Sequence, residues 1–187
     1  MQNKLTQQIT KKDKGFSLIE MMIVIAIIMI MAAIATPAIL SWLPNKRLKA
    51  AARDIYSTMQ RDKVEAVQRN TCVSTTFTIV TWPSTGGNYA TFVDSGTGAG
   101  GIRCNGIQDG SETTLSTSVI TPKDVSLVTA NNIGGFQTVC FNEKSLVCGS
   151  QSGDIVLRNT QAAWYRIRVQ AAGVIMMQTS GNGINWN

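Results

Sequence analysis

One apolar run limits what this chain can fold into more than any other feature of its sequence. Glu20 is the only ionisable side chain in residues 16–43. An α-helix needs about 20 apolar residues to cross the hydrocarbon core of a bilayer, so this run predicts a membrane-spanning helix. A carboxylate inside such a helix is costly to bury unless it is paired, and Glu20 therefore marks a functional contact.

A candidate cleavage site lies immediately before the apolar run. The basic residues Lys11, Lys12 and Lys14 precede the dipeptide Gly15-Phe16. A secretory signal is cut after its apolar core, whereas cleavage between Gly15 and Phe16 would leave the core attached to the product. The positive charges also predict that residues 1–15 stay in the cytoplasm and that the domain after the span lies outside it.

The heptapeptide from Lys14 to Glu20, KGFSLIE, resembles the class III signal of type IV pilins and type II secretion pseudopilins. The resemblance implies that a prepilin peptidase cuts after Gly15 and methylates the new N-terminal Phe16. It also implies that Glu20 meets the N-terminal amine of a neighbouring subunit in a filament. The alternative is a plain membrane anchor with Glu20 near the headgroups, which gives no reason for Gly15-Phe16.

The segment after the apolar run predicts an amphipathic continuation of the same helix. Apolar residues recur there at helical spacing, namely Leu48, Ala52, Ile55, Met59 and Ala66. The stripe falters at the charged pair Asp62-Lys63. Pro37 and Pro44 each remove one helix hydrogen bond, so we expect the helix to bend or loosen between them. Residues 45–54, 59–61 and 65–70 are similar to the FimT/GspH family of minor pilins and pseudopilins.

Beyond Thr71 the hydrophobic period changes from helical to two, which indicates strands. The strand candidates are residues 73–79, 88–93, 113–120, 125–129, 136–140, 155–158, 165–169 and 174–178. We therefore expect an α+β fold in which one long helix packs on an antiparallel β-sheet domain, as the resemblance also implies. The expected organisation is a leader (1–15), a transmembrane assembly helix (16–44), its amphipathic half (45–70) and a β-rich periplasmic domain (71–187).

Four cysteines lie beyond the apolar run, and an even number in an exported domain predicts disulfides. Three pairings are possible. Cys140 and Cys148 bracket a segment that reads as two short strands around a turn, which favours Cys140–Cys148 and leaves Cys72–Cys104. A zinc site is the competing interpretation, but the chain has no histidine and no Cys-x-x-Cys, so we predict no metal.

The sequence offers little for catalysis or for a cofactor. Without histidine the commonest general base is missing, and the carboxylates beyond the helix are scattered through predicted turns. The stretch from Asp109 to Glu112 predicts a solvated turn rather than a calcium loop. Residues 96–101 match a dinucleotide-binding glycine pattern, but no helix follows. We predict a protein that is not an enzyme and has no small-molecule substrate.

One C-terminal strand offers an alternative binding function. Alternation places Trp164, Arg166 and Arg168 on one face, with Arg158 nearby in sequence, where they could contact DNA phosphates and bases. Some FimT-like minor pilins take up DNA through a Gly-Arg-x-Arg motif. The corresponding glycine here is Gly173, and neither arginine follows it. A solvated or subunit-facing strand surface is therefore the favoured interpretation.

The resemblance thus implies a structural subunit that is assembled into, or primes, a type IV pilus or a type II secretion pseudopilus. Its expected partners are other pilins or pseudopilins, met through the N-terminal helix, and the prepilin peptidase. Its expected location is the bacterial inner membrane as a single-pass protein, and then the filament. DNA binding in natural transformation is the disfavoured alternative.

Overall fold

The structure is a computed structural model, which describes residues 15–96, 101–120, 122–130, 137–150 and 152–187. The predicted leader therefore lies outside the described residues except for Gly15. Part of the glycine-rich loop and Phe136, the first residue of one predicted strand, also lie outside them. The chain divides into two units, one that ends at Ser41 and one from Trp42 to Asn187.

One α-helix, α1, covers Leu18–Arg69 and contains both prolines. Ser17 precedes it, and the carbonyl of Ser17 accepts hydrogen bonds from the backbone N–H groups of Glu20 and Met21. The sequence Ser-x-x-Glu at this point matches a capping box, which explains why the helix begins here. The bend expected near Pro37 and Pro44 stays a prediction.

The first unit exposes its apolar surface. Every described residue from Gly15 to Ser41 is exposed, including Phe16 at 78% and Ile34 at 72%. This part of α1 is long and apolar enough to cross a membrane. Such a surface is unfavourable in water and favourable in lipid.

The second unit adds eight antiparallel strands to the C-terminal half of α1. They are β1 (Cys72–Thr78), β2 (Asn88–Asp94), β3 (Thr114–Ile120), β4 (Val125–Ala130), β5 (Thr138–Phe141), β6 (Gly153–Asn159), β7 (Trp164–Val169) and β8 (Ile175–Ser180). They form two four-stranded sheets, ordered β3-β2-β1-β5 and β4-β6-β7-β8. The predicted α+β class, one long helix on an antiparallel β domain, is confirmed.

The core lies between the second half of α1 and the inner faces of both sheets. Leu48, Ile55 and Met59 of the helix are at most 1% exposed, and they join Phe77 of β1 and Ile167 of β7 in one cluster. Each fully buried side chain of this size contributes roughly 1.5–3 kcal/mol. The predicted stripe of apolar residues is therefore the face that binds α1 to the sheets.

The structure corrects two local expectations. The stripe does not falter at Asp62, because Asp62 is itself buried at 1% exposure and continues the stripe as a carboxylate. The segment between Cys140 and Cys148 is not a pair of strands. After β5 a single bridge joins Phe141 to Val147, and a 3-10 turn, Cys148–Ser150, follows. The side chain of Asn142 accepts hydrogen bonds from the backbone N–H groups of Lys144 and Leu146, so this segment forms a turn and not a second strand.

The cysteines are joined as Cys72–Cys104 and Cys140–Cys148. The first bond ties the start of β1 to the loop between β2 and β3. The second closes the turn after β5.

Candidate functional site

The candidate cleavage site, Gly15-Phe16, and Glu20 lie together at the beginning of α1. Gly15, Phe16, Ser17 and Glu20 line one shallow pocket, and all four are exposed. Glu20 belongs to the first turn, where the unpaired N–H groups and the helix dipole favour a negative charge. A carboxylate thus lines the same pocket as the peptide bond whose cleavage would create a positive amine.

The outer face of the second sheet carries six large side chains, which we call the tryptophan–arginine face: Trp82, Arg158, Trp164, Arg166, Arg168 and Trp186. Ile167 and Val169 of β7 point into the core at 0% exposure, so Arg166 and Arg168 point outward, as the alternation predicted. The register pairs Arg158 of β6 with Trp164 of β7. The structure therefore brings together all four residues that the sequence proposed for DNA contact.

Arg158 is stacked between two indole rings. Its guanidinium carbon lies 3.9 Å from the ring centroid of Trp82 and 4.8 Å from that of Trp164. Contacts of this kind contribute about 0.5–2 kcal/mol each, depending on how far they are shielded from water. The Nε of Arg158 is buried and has no hydrogen-bond partner among the described residues. Stacking thus fixes this guanidinium within the domain.

Arg166 and Arg168 are held by neighbouring side chains of the same sheet. Arg168 donates two hydrogen bonds to Asp154, at 2.7 and 2.8 Å, which is the bidentate arrangement. Arg166 donates to Gln178, lies 3.6 Å from Asp154 and stacks under Trp186 at 4.4 Å.

The two arginines differ in electrostatic surroundings. Burial lowers the pKa of Arg166 from its usual value, and the hydrogen bond with Asp154 raises the pKa of Arg168. Both remain cations at neutral pH, since guanidinium pKa values start far above it. One carboxylate nevertheless offsets part of their charge, which leaves less for an external phosphate.

The sequence missed the partners of these arginines. The pairing of Asp154 with Arg168 could have been predicted from a hairpin, because a turn at residues 160–163 between β6 and β7 sets Asp154 opposite Arg168. No local pattern predicts that Trp82 and Trp186 pack on this sheet. They reach the face from a distant loop and from the C-terminal segment, where Asn187 pairs with Thr179 through two backbone hydrogen bonds.

Gly173, the expected counterpart of the DNA motif's glycine, has a structural role. Its φ is +75°, and an added Cβ would lie 2.0 Å from the carbonyl oxygen of Ser145. Only glycine fits such a position without movement of the backbone. Its own carbonyl accepts a hydrogen bond from Lys63 of α1 at 2.8 Å. The residue thus joins the β7–β8 turn to the helix.

The turn at Asp109–Glu112 is not the solvated turn that the sequence predicted. Glu112 is 7% exposed, and its two carboxylate oxygens accept from the backbone N–H groups of Gly96 and Asp109. Asp94 is 0% exposed and accepts from Ser74 and Gly106. These carboxylates organise the loop between β2 and β3 by satisfying buried N–H and hydroxyl donors.

Two protein-family models match this chain. The prokaryotic N-terminal methylation motif matches residues 10–36, and the family model described as type II transport protein GspH matches residues 51–173. A search of the curated proteins found no match.

Two crystal structures of the type IV minor pilin FimU from Pseudomonas aeruginosa (strain PAO1) are similar to this chain. One has 10% identity and a TM-score of 0.46, over 71% of this chain and 89% of that one. The other has 11% identity and a TM-score of 0.45, over 70% and 91%. Because the GspH model covers more than half of the sequence, the chain belongs to the GspH family of minor pilin and pseudopilin subunits, which are structural proteins and not enzymes.

Proposed function

We propose that this structural subunit is cut between Gly15 and Phe16 by a prepilin peptidase, methylated at Phe16 and assembled into a filament through α1. The filament is a type IV pilus or a type II secretion pseudopilus, in which a minor subunit primes assembly. Before assembly the chain spans the bacterial inner membrane once, with residues 1–15 in the cytoplasm and the second unit in the periplasm.

The observation that carries this proposal is Glu20 on an otherwise apolar and fully exposed helical segment. Residues 16–41 are all exposed with respect to the rest of the chain that the structure describes. The segment therefore has to be covered from outside, and the cover has to accept one carboxylate. Lipid covers the apolar side chains and leaves the carboxylate unpaired.

A neighbouring subunit supplies what lipid does not. Cleavage after Gly15 creates a free amine on Phe16, and a methylated secondary amine still carries a positive charge. An ion pair in a low-dielectric filament core is strong only when both charges are present, because each one alone is costly to desolvate. Processing and assembly are thereby coupled, since an uncut chain cannot offer this amine to its neighbour.

The cleavage step is tested by the intact mass of the protein extracted from cells that contain its own peptidase. We expect a chain that begins at Phe16 and carries one methyl group. Gly15→Val should remain uncut, because the peptidase must admit the residue before the scissile bond. Among the described residues, nothing beyond the chain neighbours lies within 4 Å of a Cβ at Gly15, so a failure to process Gly15→Val reports on the peptidase and not on folding. Ser17→Ala serves as the matched control and should be cut. Wild-type protein that retains residues 1–15 would contradict the proposal.

A further inference from the structure

The four cysteine sulfurs form one cluster rather than two separate bridges. Cys72 begins β1, and Cys140 lies on the adjacent strand β5, where it pairs with Ser74. Cys72 and Ser74 are two residues apart and so share a face of the sheet. Cys104 comes from the loop between β2 and β3, and Cys148 from the turn after β5. All four Sγ atoms lie within 4.8 Å of one another.

The closest approach between the two bridges is similar to the sulfur–sulfur spacing of a metal site. The Sγ of Cys148 lies 3.9 Å from the Sγ of Cys72, although the two are not bonded to each other. A tetrahedral zinc ion with four thiolate ligands has Zn–S bonds of about 2.3 Å, which places its sulfurs about 3.8 Å apart. Neither disulfide requires the other to be this close. We propose that the same four sulfurs, when reduced, bind one zinc ion as an all-thiolate site.

The absence of histidine and of Cys-x-x-Cys does not count against a site of this kind. Four thiolates need no imidazole, and the ligands converge through strand pairing and loop closure instead of through a short motif. Cys72 and Cys140 are 0% and 4% exposed, which supplies the water-excluded side of the site. Cys104 and Cys148 are half-buried, which leaves the ion a route from solvent.

A zinc ion with four thiolates carries a net charge of −2, so the site gains from a nearby cation. Arg103 precedes Cys104, and its guanidinium lies 3.3 Å from the carbonyl oxygen of Asn70 and 3.5 Å from a carboxylate oxygen of Glu143. Asn70 and Glu143 flank Cys72 and Cys140 in the chain. The arginine is thus held beside the strands that carry two of the ligands.

The two states of the cluster are related by a balanced reaction. A dithiol or phosphine reductant supplies four electrons, and four protons from water complete the conversion of two disulfides into four thiols. Zinc then displaces four protons and forms four Zn–S bonds. In an oxidising compartment the disulfides form and the site is lost. Under reducing conditions zinc replaces both cross-links at the same place, joining β1, β5 and their loops.

The test uses the full chain in detergent, reduced with a phosphine and titrated with Co²⁺ as a visible probe. We expect one Co²⁺ per chain with the absorption of a tetrahedral thiolate complex, and full displacement by one equivalent of Zn²⁺. Each single Cys→Ser variant should weaken binding by at least roughly 10- to 100-fold, the loss that follows removal of an outer-shell partner alone. Ser145→Ala, in the turn between Cys140 and Cys148 and not a ligand, is the matched control and should bind normally. The oxidised chain should not bind.

A second measurement separates a built site from four loose thiols. Circular dichroism should show that zinc restores or preserves the β signal of the reduced chain, and the same titration in urea should show much weaker binding. Equal affinity in urea, a stoichiometry other than one, or a reduced chain that stays unfolded with zinc would each overturn the proposal.

Discussion

At the scale of single residues, the buried carboxylate of Asp62 makes the stability of the domain depend on pH. Its Oδ2 accepts a hydrogen bond from Thr75 at 2.5 Å, whereas its Oδ1 has no hydrogen-bond partner among the described residues. Burial raises the pKa of Asp62 to about 6, although the hydrogen bond from Thr75 acts in the opposite direction. The charged form is therefore disfavoured in the folded domain.

Asp62 should make the domain less stable as the pH rises from about 4 to about 6. The folded state keeps the proton over this range and the unfolded state has lost it, so the free energy of unfolding falls by about 3 kcal/mol and then levels off. Asp62→Asn should remove this part of the slope, and its stability relative to wild type should increase between pH 4 and pH 7. Urea unfolding followed by tryptophan fluorescence measures the difference.

Glu65→Gln is the control for Asp62→Asn, because it removes a carboxylate that pairs with Arg69 on the outer side of the same helix. It should not reproduce the change. An Asp62→Asn curve parallel to that of wild type across this range would show that the carboxylate titrates normally.

The helical period explains why the sequence did not identify Asp62 as buried. Its position fits the apolar stripe, but a charged residue in a stripe is ordinarily read as the edge of the buried face. Two threonine hydroxyls make the burial tolerable. Thr75, thirteen residues away on β1, donates a hydrogen bond to Asp62, and Thr91 of β2 donates a longer one to the same oxygen at 3.4 Å. Such a partner depends on how the helix lies on the sheet, which local patterns do not encode.

At the scale of elements, the two halves of α1 differ in what they contact. The described residues from Gly15 to Ser41 are all exposed, whereas the half from Trp42 provides one side of the core through Leu48, Ile55 and Met59. Polar contacts also fix this half, including the ion pair of Arg47 with Asp124 and the hydrogen bond of Asn159 to Asn45. Nothing in the core of the second unit requires the first half of the helix.

A chain that begins at Trp42 should therefore fold alone under oxidising conditions. We expect cooperative urea unfolding with the same midpoint as the domain of the full chain, because every buried residue of the core cluster is retained. Glu20→Ala in the full chain should leave that midpoint unchanged. A broad, non-cooperative transition in the shortened chain would contradict the claim that the second unit folds without the first half of α1.

The elements themselves were predictable because each has a strong local pattern. Alternation is clearest in strands such as β6, which buries one face and turns the other outward, whereas β5 is buried at all four of its positions and was found as a short apolar run. Their grouping was not predictable: β3, β2, β1 and β5 form one sheet and the remaining strands form the other. The order depends on long-range pairing such as β1 with β5, and the sequence carries no local mark of it.

At the scale of the whole molecule, net charge and its local neutralisation decide whether DNA is a partner. The sequence has a formal net charge of +6, and about half of it belongs to residues 1–15. On the tryptophan–arginine face, Asp154 holds Arg166 and Arg168, and two indole rings stack on Arg158. The three arginines of this face therefore contact groups of the domain itself, which leaves less positive charge for DNA phosphates.

We predict that the domain binds duplex DNA weakly or not at all at about 150 mM salt, because non-specific affinity comes from free phosphate-contacting cations. A gel-shift titration measures this. Asp154→Asn should increase any residual binding, since it removes the negative charge that offsets both arginines. Micromolar binding by wild type that the double change Arg166→Gln/Arg168→Gln abolishes would make this face a nucleic-acid site.

Assembly through Glu20 is the central claim, and the fraction of protein incorporated into filaments tests it most directly. Glu20→Ala and the control Glu65→Ala would be expressed in cells that contain the host machine, and sheared filaments would be compared with membranes. We predict that Glu20→Ala is cut after Gly15, remains folded and stays in the membrane, whereas Glu65→Ala enters filaments like wild type. Incorporation of Glu20→Ala at the wild-type level would contradict the account.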